Sequence, residues 1–186
     1  MTRNPIGSIL RHGFSDSAAS LMYEARKICN YLLANFARNV HPLTNLRLNK
    51  LIFFIHADSL KVKPDGLIRN HFEAWQFGPV IRPVFDSFKV YGDKPITGPA
   101  LYLDYASGKQ IPIPHSDIGP SDAEIIDRSF EEYNRFSTGQ LVALSHEPGG
   151  PWDVVYKTHL ADKTASPRIS NELIRRYFAG DLSSRH

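Results

Sequence analysis

The feature that most constrains the fold is a dense apolar stretch between Thr44 and Leu60. Pro42 cannot continue a preceding helix, and Thr44 is well suited to cap a new one. The apolar residues of this stretch cover nearly the whole circumference of a helix, and such a helix must be surrounded by protein. The pattern therefore predicts a central hydrophobic helix on which the other elements pack. Its apolar residues include Leu48, Leu51, Ile52, Phe53, Phe54, Ile55 and Leu60.

Length and composition favour one domain with one core. The chain has 186 residues, of which 42% are hydrophobic, enough for a single core and short for two. We expect a cytoplasmic protein, because the sequence has no apolar run of roughly 18 residues and its N-terminus lacks the apolar segment of a secretory signal. Cys29 is the single cysteine, so an intramolecular disulfide is excluded. Its helical spacing between Ala25 and Leu32 predicts a buried, apolar role.

Charge is distributed unevenly along the chain. The formal net charge is +3, but residues 1–95 carry 13 Lys and Arg against 7 Asp and Glu, whereas residues 96–186 carry 9 against 12. The basic half has no block of consecutive Lys or Arg and no clear helix-turn-helix with a basic recognition helix, so nucleic-acid binding is not favoured. The acidic stretch 117–132 holds six carboxylates and one arginine. Such a stretch attracts a basic protein partner.

Apolar spacing and turn residues predict the other elements of the first half. Apolar residues recur at three- and four-residue steps over 18–36, which predicts a helix. A brief strand is expected over 72–76. Helical spacing resumes over 80–88, where Pro83 falls in the first turn and Gly92 stands where a left-handed cap is expected.

The second half is marked by a hairpin pattern and by helix-start signals. Residues 99–114 predict a small edge hairpin, because Pro112 and Pro114 exclude a central strand. Serine followed three residues later by Glu or Gln is a capping box, and proline suits the first turn of a helix. The predicted helix starts are Ser121 with Glu124, Ser137 with Gln140, Pro151, and Ser170.

Together these patterns predict a mainly α fold. We expect a compact single domain of about seven helices around a central hydrophobic helix, with a small edge β-hairpin. Residues 1–17 show no sustained periodicity and are predicted to form a mobile N-terminal arm that can become ordered on a partner. The domain is expected to span 18–180, and residues 181–186 form a C-terminal tail.

Three short stretches occur in a fixed order, and none is a catalytic signature. They are Leu48-Asn49-Lys50-Leu51-Ile52-Phe53-Phe54, Glu73-Ala74-Trp75-Gln76-Phe77-Gly78-Pro79-Val80 and Ser145-His146-Glu147-Pro148-Gly149-Gly150-Pro151-Trp152. Together they resemble the pattern of the Panacea family, the SocA-like antitoxin domains found in phage-associated proteins. The resemblance extends over about residues 18–178. The matching positions are Leu48, Lys50, Leu51, Trp75, Gly78, Pro79, His146, Pro151 and Trp152.

The resemblance implies an antitoxin that neutralises a cognate protein toxin by direct binding. It implies that the toxin is encoded by an adjacent gene, and it supplies no catalytic residue, cofactor or metal ligand. We therefore expect no enzymatic activity, no cofactor and no membrane partner.

Physical reasoning gives the motif residues architectural roles. Leu48 and Leu51 are expected in the core, and the two tryptophans are expected to be core anchors because each has a large apolar surface. Gly78 and Pro79 are expected to reverse the chain. His146 is predicted to be a buried polar bridge that pins the late turn.

Two alternative functions stay open. A small metal-dependent hydrolase or nuclease would use His56, Asp58 and His146, since imidazole and carboxylate groups bind zinc, iron or manganese. The sequence contains no HExxH motif and no three-ligand cluster to support it. An adaptor that delivers its partner to a protease would use the same kind of binding surface as an antitoxin and would differ in the fate of the bound partner.

The toxin-binding surface is expected on elements outside the motifs. A fixed core with a variable surface can serve different partners, and function often lies on exposed connecting segments. We therefore predict contacts from the hairpin at 99–114, the acidic helix at 121–133 and the N-terminal arm. The candidate toxin-binding residues are Tyr102, Tyr105, Asp127 and Glu131.

Overall fold

The computed structural model describes residues 21–36 and 41–180, and the fold within them is mainly α. The predicted arm at 1–17 and tail at 181–186 lie outside the described residues. None of the helices in this part of the chain has the length and apolar character needed to cross a bilayer. In chain order the elements are α1 (Ala25–Phe36), α2 (Asn45–Ser59), β1 (Phe72–Trp75), β2 (Gly78–Val80), α3 (Arg82–Phe88), a 3-10 turn (Lys89–Tyr91), β3 (Leu101–Asp104), β4 (Lys109–Pro112), α4 (Pro120–Asn134), α5 (Thr138–Ser145), α6 (Pro151–Ala161), β5 (Arg168–Ile169) and α7 (Asn171–Phe178).

Helix α2 lies in the interior of the domain. All of its residues except Leu46 and Asp58 are buried. The helix begins after Thr44, as predicted, and the Thr44 side chain accepts a hydrogen bond from the Arg47 N–H at 3.3 Å. It packs against α1, α3, α4, α5, α7 and β2. Six other elements therefore pack directly on this one helix.

Helix α2 also carries buried polar side chains that bind neighbouring backbone. The guanidinium of Arg47 donates to the carbonyl oxygens of Phe136 and Asn134 at 2.8 and 2.9 Å, at the end of α4. Asn49 Oδ1 accepts the N–H of Ile81 at 3.0 Å, just before α3. Because buried polar groups need partners, these bonds fix the connections around α2, and Arg47 Nε is the guanidinium atom left without a hydrogen-bond partner among the described residues.

Helix α1 starts later than the periodicity predicted. It begins at Ala25, and the first predicted helical position, Ala18, lies outside the described residues. Upstream of Ala25 the backbone pairs with a distant segment. The Tyr23 N–H donates to Leu67 O at 2.7 Å, and the Arg69 N–H donates to Tyr23 O at 3.0 Å. These long-range bonds hold the segment extended, and apolar spacing does not report them.

Cys29 lies on the buried side of α1. It is fully buried, and burial raises the pKa of its thiol well above the usual range. The thiol therefore stays protonated and packs as a small apolar group, as predicted.

The strands form two small antiparallel sheets. In the first, the order is β2-β1-β5, and Glu73 on β1 pairs with Val80 on one side and Arg168 on the other. Strand β1 was predicted, whereas β2 and β5 were not. Gly78 and Pro79 were expected to reverse the chain and Val80 to begin a helix, but these residues form β2 and the reversal lies at Gln76 and Phe77. Strand β5 was missed because two residues after Pro167 give no strand pattern. Strands β3 and β4 form the predicted hairpin as a separate two-stranded sheet.

The start of α4 differs from the prediction. The expected capping box of Ser121 and Glu124 is wrong, because α4 begins at Pro120 with Gly119 as its N-cap and no side-chain cap. Proline at the first helical position has its φ preset and has no N–H to satisfy, so the helix starts before the serine. The starts confirmed by the structure are Ser137 with Gln140 for α5, Pro151 for α6 and Ser170 for α7.

Candidate functional site

The three sequence motifs meet around the ammonium group of Lys50. Lys50 lies on α2 and is fully buried, and its Nζ donates to the carbonyl oxygen of Pro79 on β2 at 2.8 Å. Burial lowers the pKa of Lys50 to about 7, since a charged ammonium is poorly solvated there. Leu48 and Leu51 of the same motif are also fully buried. The lysine thus ties the first motif to the second.

Gly78 is the point of closest approach between the motifs. Its φ is +102°, a backbone conformation that side-chain-bearing residues rarely adopt. A Cβ atom on residue 78 would lie 2.7 Å from Cε of Lys50 and 2.8 Å from Oγ of Ser145. Because both distances are far below van der Waals contact, only glycine fits between α2 and α5.

Trp152 joins the third motif to the second. Its side chain is 7% exposed, and its Nε1 donates to the carbonyl oxygen of Trp75 at 2.8 Å. The imidazole of His146 packs on the indole with ring centroids 3.7 Å apart, and Tyr156 stacks at 4.6 Å. The predicted polar bridge is not formed through His146 Nε2, because this buried atom has no hydrogen-bond partner among the described residues. His146 contributes ring contact instead.

Trp75 differs from Trp152, although both were predicted to be core anchors. Its indole is half-buried, and Nε1 donates to Glu73 Oε2 at 2.8 Å. The guanidinium of Arg82 lies 5.0 Å from the ring centroid, and the Phe85 ring packs edge-on at 5.0 Å. Trp75 is therefore partly exposed at the surface, and the prediction that it is a core anchor is wrong.

His56, the best metal candidate in the sequence, is a structural residue. Its Nδ1 accepts the N–H of Ile68 at 3.2 Å, which assigns the proton to Nε2, and Nε2 then donates to Asn171 Oδ1 at 3.0 Å. Asp58 instead pairs with Lys61 at 2.6 Å. Within residues 21–36 and 41–180, no three His, Cys, Asp or Glu side chains form a group that could hold a metal ion. The structure does not assemble the hydrolase site.

The buried imidazole of His56 predicts acid sensitivity. Burial lowers the pKa of His56 to about 4 from 6.5, so the folded state excludes a proton that the unfolded chain accepts. Stability contributed by neutral His56 is complete above pH 6.5 and is lost as the pH falls towards 4. Urea unfolding at pH 7 and pH 5 will show a smaller loss for His56→Gln than for the parent. The exposed His71→Gln serves as the control, and equal losses in all three proteins contradict the prediction.

The sequence-predicted interface residues have different surroundings. On the hairpin, Tyr102 and Tyr105 are 39% and 90% exposed. Asp127 on α4 accepts the Tyr31 hydroxyl at 2.9 Å, and burial together with this carboxylate raises the pKa of Tyr31 to about 12. Glu131 is exposed. The tyrosines and Glu131 are thus available to a partner, whereas Asp127 already holds α4 to α1.

An apolar groove on another face was not predicted. It has a volume of about 460 Å³ and lies between α2, the β1–β2 turn and α3. Phe77, in the two-residue turn between β1 and β2, is 62% exposed, and Leu46 is 38% exposed. An apolar residue in a tight turn was the available sequence signal, since turns favour polar residues and glycine. We call the "apolar groove" the surface formed by Leu46, Trp75, Phe77, Val80 and Phe85.

A group of basic side chains lies beside this groove, where Arg82 contacts the Trp75 ring. We call it the "basic cluster", and it consists of Arg69, His71, Arg82 and Arg168, which line one depression of about 430 Å³. The carboxylate among the lining residues is Glu73, which already accepts bonds from Trp75 and Arg82. Arg168 joins the cluster only because β5 pairs with β1. Sequence reasoning missed it, since nothing local indicates that pairing.

The three motifs that meet around Lys50 lie within the segment that matches a known protein family. The family described as Antitoxin SocA-like, Panacea domain matches residues 48–153, the segment that contains all three motifs. The chain belongs to this Panacea family. Antitoxin SocA of Caulobacter vibrioides (strain NA1000 / CB15N) is 37% identical over 158 residues, which cover 83% of this chain and 82% of that protein. No solved structure matches the chain.

The motif residues of the Panacea family lie at the contacts around Lys50. The residues predicted from the motifs are those through which α2, the β1–β2 turn and the α5–α6 connection touch one another. Apart from the half-buried Trp75, they are used for packing. Three regions of the domain surface carry exposed apolar or basic side chains: the hairpin, the apolar groove and the basic cluster.

Proposed function

We propose that this chain is an antitoxin that neutralises a cognate protein toxin by binding it directly. The observation that carries the proposal is the 37% identity to Antitoxin SocA over 83% of the chain, within a shared Panacea family. The toxin is taken to be the product of an adjacent gene, met in the cytoplasm. Direct binding needs no catalytic group on the antitoxin, which suits a domain whose motif residues are used for packing.

The surface of the domain supports a protein partner. Large exposed apolar and aromatic side chains lie on the hairpin and around the apolar groove, and Tyr105 and Phe77 are 90% and 62% exposed. Exposed aromatic groups are frequent anchors of protein interfaces. Tyr102, Tyr105 and Glu131 stay proposed as toxin-binding residues, whereas Asp127 would contact a partner only while also bonded to Tyr31.

Co-expression tests the function. We expect this protein to restore the growth of cells that express the adjacent gene product, and we expect the two proteins to co-purify as a stable complex. Growth curves and size-exclusion chromatography of the tagged pair provide the measurement. Undiminished toxicity in cells that contain abundant folded protein rules the proposal out.

The same assay separates direct neutralisation from delivery to a protease. Rescue is repeated in cells that lack their cytoplasmic unfoldase–proteases, with the toxin level followed by immunoblotting. Direct binding predicts equal rescue and an unchanged toxin level in both strains. Rescue that disappears in the protease-deficient strain, while the complex still forms, identifies an adaptor.

A further inference from the structure

We propose that the toxin docks on the apolar groove and the basic cluster together, through an apolar segment flanked by acidic residues. The inference rests on the proposed function and assigns it a surface different from the hairpin that the sequence favoured.

The apolar groove has the shape and chemistry of an anchor site. It is concave, about 460 Å³ in volume, and Phe77 and Leu46 at its rim keep 62% and 38% of their surfaces exposed. The half-buried rings of Trp75 and Phe85 form its wall. Covering this surface with a partner's apolar side chains removes it from water, which favours association in proportion to the area covered. The hairpin, in contrast, is a separate two-stranded sheet whose residues are mostly exposed.

The basic cluster supplies the charge complement beside the groove. Arg69, His71 and Arg168 are exposed, and their depression contains one carboxylate, Glu73. Glu73 pairs with the guanidinium of Arg82 and accepts from Trp75 Nε1, so it offsets the charge of one arginine and leaves the charges of Arg69 and Arg168 in excess in this depression. The remaining positive charge favours acidic residues on whatever docks here.

Arg82 connects the two surfaces into one face. It lines the depression of the basic cluster, and its guanidinium also lies over the Trp75 ring that forms the groove wall, 5.0 Å from the centroid. A segment that places an apolar side chain in the groove therefore brings its flanking residues beside the cations. Lys89, which pairs with Asp86 at 2.9 Å, also lines the groove. A partner segment with an apolar side chain between acidic residues fits this face, because the apolar side chain can enter the groove while the carboxylates lie beside the basic side chains.

A protein segment fits this face better than a nucleic acid. Nucleic-acid binding grooves follow a phosphate backbone with a continuous series of cations. Here the main group of basic side chains lines its own depression, beside a groove whose lining includes Leu46, Val80 and Phe85. Aliphatic side chains offer little to phosphates and sugars, but they suit the side chains of an amphipathic peptide segment.

Binding measurements with the purified product of the adjacent gene test the docking face. Phe77→Ser is expected to weaken the affinity at least about tenfold by removing the anchor contact. The double variant Arg69→Glu/Arg168→Glu is expected to weaken it by a similar factor and to flatten its dependence on salt between about 50 and 500 mM. Tyr105→Ser tests the rival surface on the hairpin. The matched controls are Val62→Ser, at an apolar residue as exposed as Phe77, and Arg128→Glu/Lys163→Glu at exposed cations elsewhere, and both are expected to bind within about twofold of the parent. Melting temperatures establish that each variant is folded.

The outcomes separate this inference from the function beneath it. Groove and cluster variants that bind like the parent, or a loss confined to Tyr105→Ser, overturn the docking face and leave the antitoxin function standing. A single-stranded oligonucleotide that binds the parent and displaces the toxin from the cluster overturns it in favour of nucleic acid. If the unsubstituted chain does not bind the toxin at all, the function and the docking face fail together.

Discussion

Replacing Trp152 with alanine is expected to lower the free energy of unfolding by about 3–5 kcal/mol. The indole is 7% exposed and lies between the rings of His146 and Tyr156. Its removal leaves a cavity at the junction of α5, α6 and β1, and it leaves the Trp75 carbonyl oxygen without its donor. Such a loss is a large fraction of the stability of a domain of this size, so soluble protein and toxin rescue should both decline.

Trp75→Ala is the matched comparison for this variant. Because the Trp75 ring is half-buried and forms the groove wall, its truncation is expected to destabilise the fold less than Trp152→Ala and to weaken toxin binding in protein that remains folded. Urea unfolding curves give both free energies. Equal destabilisation by the two substitutions would show that Trp75 is a core anchor after all and would contradict the distinction drawn from the structure.

Gly78→Ala is expected to be nearly as damaging, although it adds a single methyl group. The backbone at φ +102° becomes strained once a Cβ is present, and the new atom overlaps Lys50 Cε and Ser145 Oγ. Strain of this kind and overpacking each cost about 1–3 kcal/mol, so the free energy of unfolding should fall by roughly 2–6 kcal/mol. The chain reversal that carries Phe77 should be displaced with it.

Gly108→Ala isolates the backbone contribution. Gly108 also has a positive φ, +66°, but a Cβ there meets no atom within 4 Å. We expect a cost of about 1 kcal/mol, from backbone conformation alone. Thermal and urea unfolding of the two alanine variants measure the difference. A Gly78→Ala protein as stable as Gly108→Ala would mean that Lys50 moves aside without penalty, and the close packing of the motifs would lose its explanation.

Local signals in the sequence predicted the parts of the fold that depend on neighbouring residues. Thr44, Pro151 and the Ser137–Gln140 pair act within one helical turn, so their chemistry is visible in the sequence and the structure confirms each of them. Pro120 shows the limit of this reasoning. Two valid start signals stood side by side, and the fixed φ of proline prevailed over the hydroxyl of Ser121.

The features that escaped prediction depend on contacts between distant segments. Strand β5 has two residues, and its existence is decided by pairing with β1 almost 100 residues earlier. Tyr23 is held extended by Leu67 and Arg69, against an apolar spacing that suggested helix. The basic cluster could not be predicted for the same reason, because Arg168 lies beside Glu73 only through the pairing of β5 with β1.

The sequence therefore predicted the motif residues of the candidate site, but it did not predict the apolar groove or the basic cluster. Lys50, Gly78 and Trp152 match the family pattern. In the structure Lys50 binds Pro79 on β2 and lies against Gly78, and Trp152 binds Trp75 on β1. Phe77 lies inside the second motif without being one of its matching positions. Whether an aromatic side chain in such a turn is covered or exposed is decided by the elements around it, here α2 and α3.

The pairing of β1 with β5 also means that the family segment and the cooperative folding unit have different limits. Residues 48–153 contain the motif contacts. However, β1 in that segment pairs with β5 at 168–169, and α2 packs against α1 and α7, all of which lie outside it. A fragment cut at 48–153 would expose one edge of β1 and two flanks of α2 to water. We therefore expect independent folding only from a longer stretch of chain, which includes the segments on both sides that pack on residues 48–153.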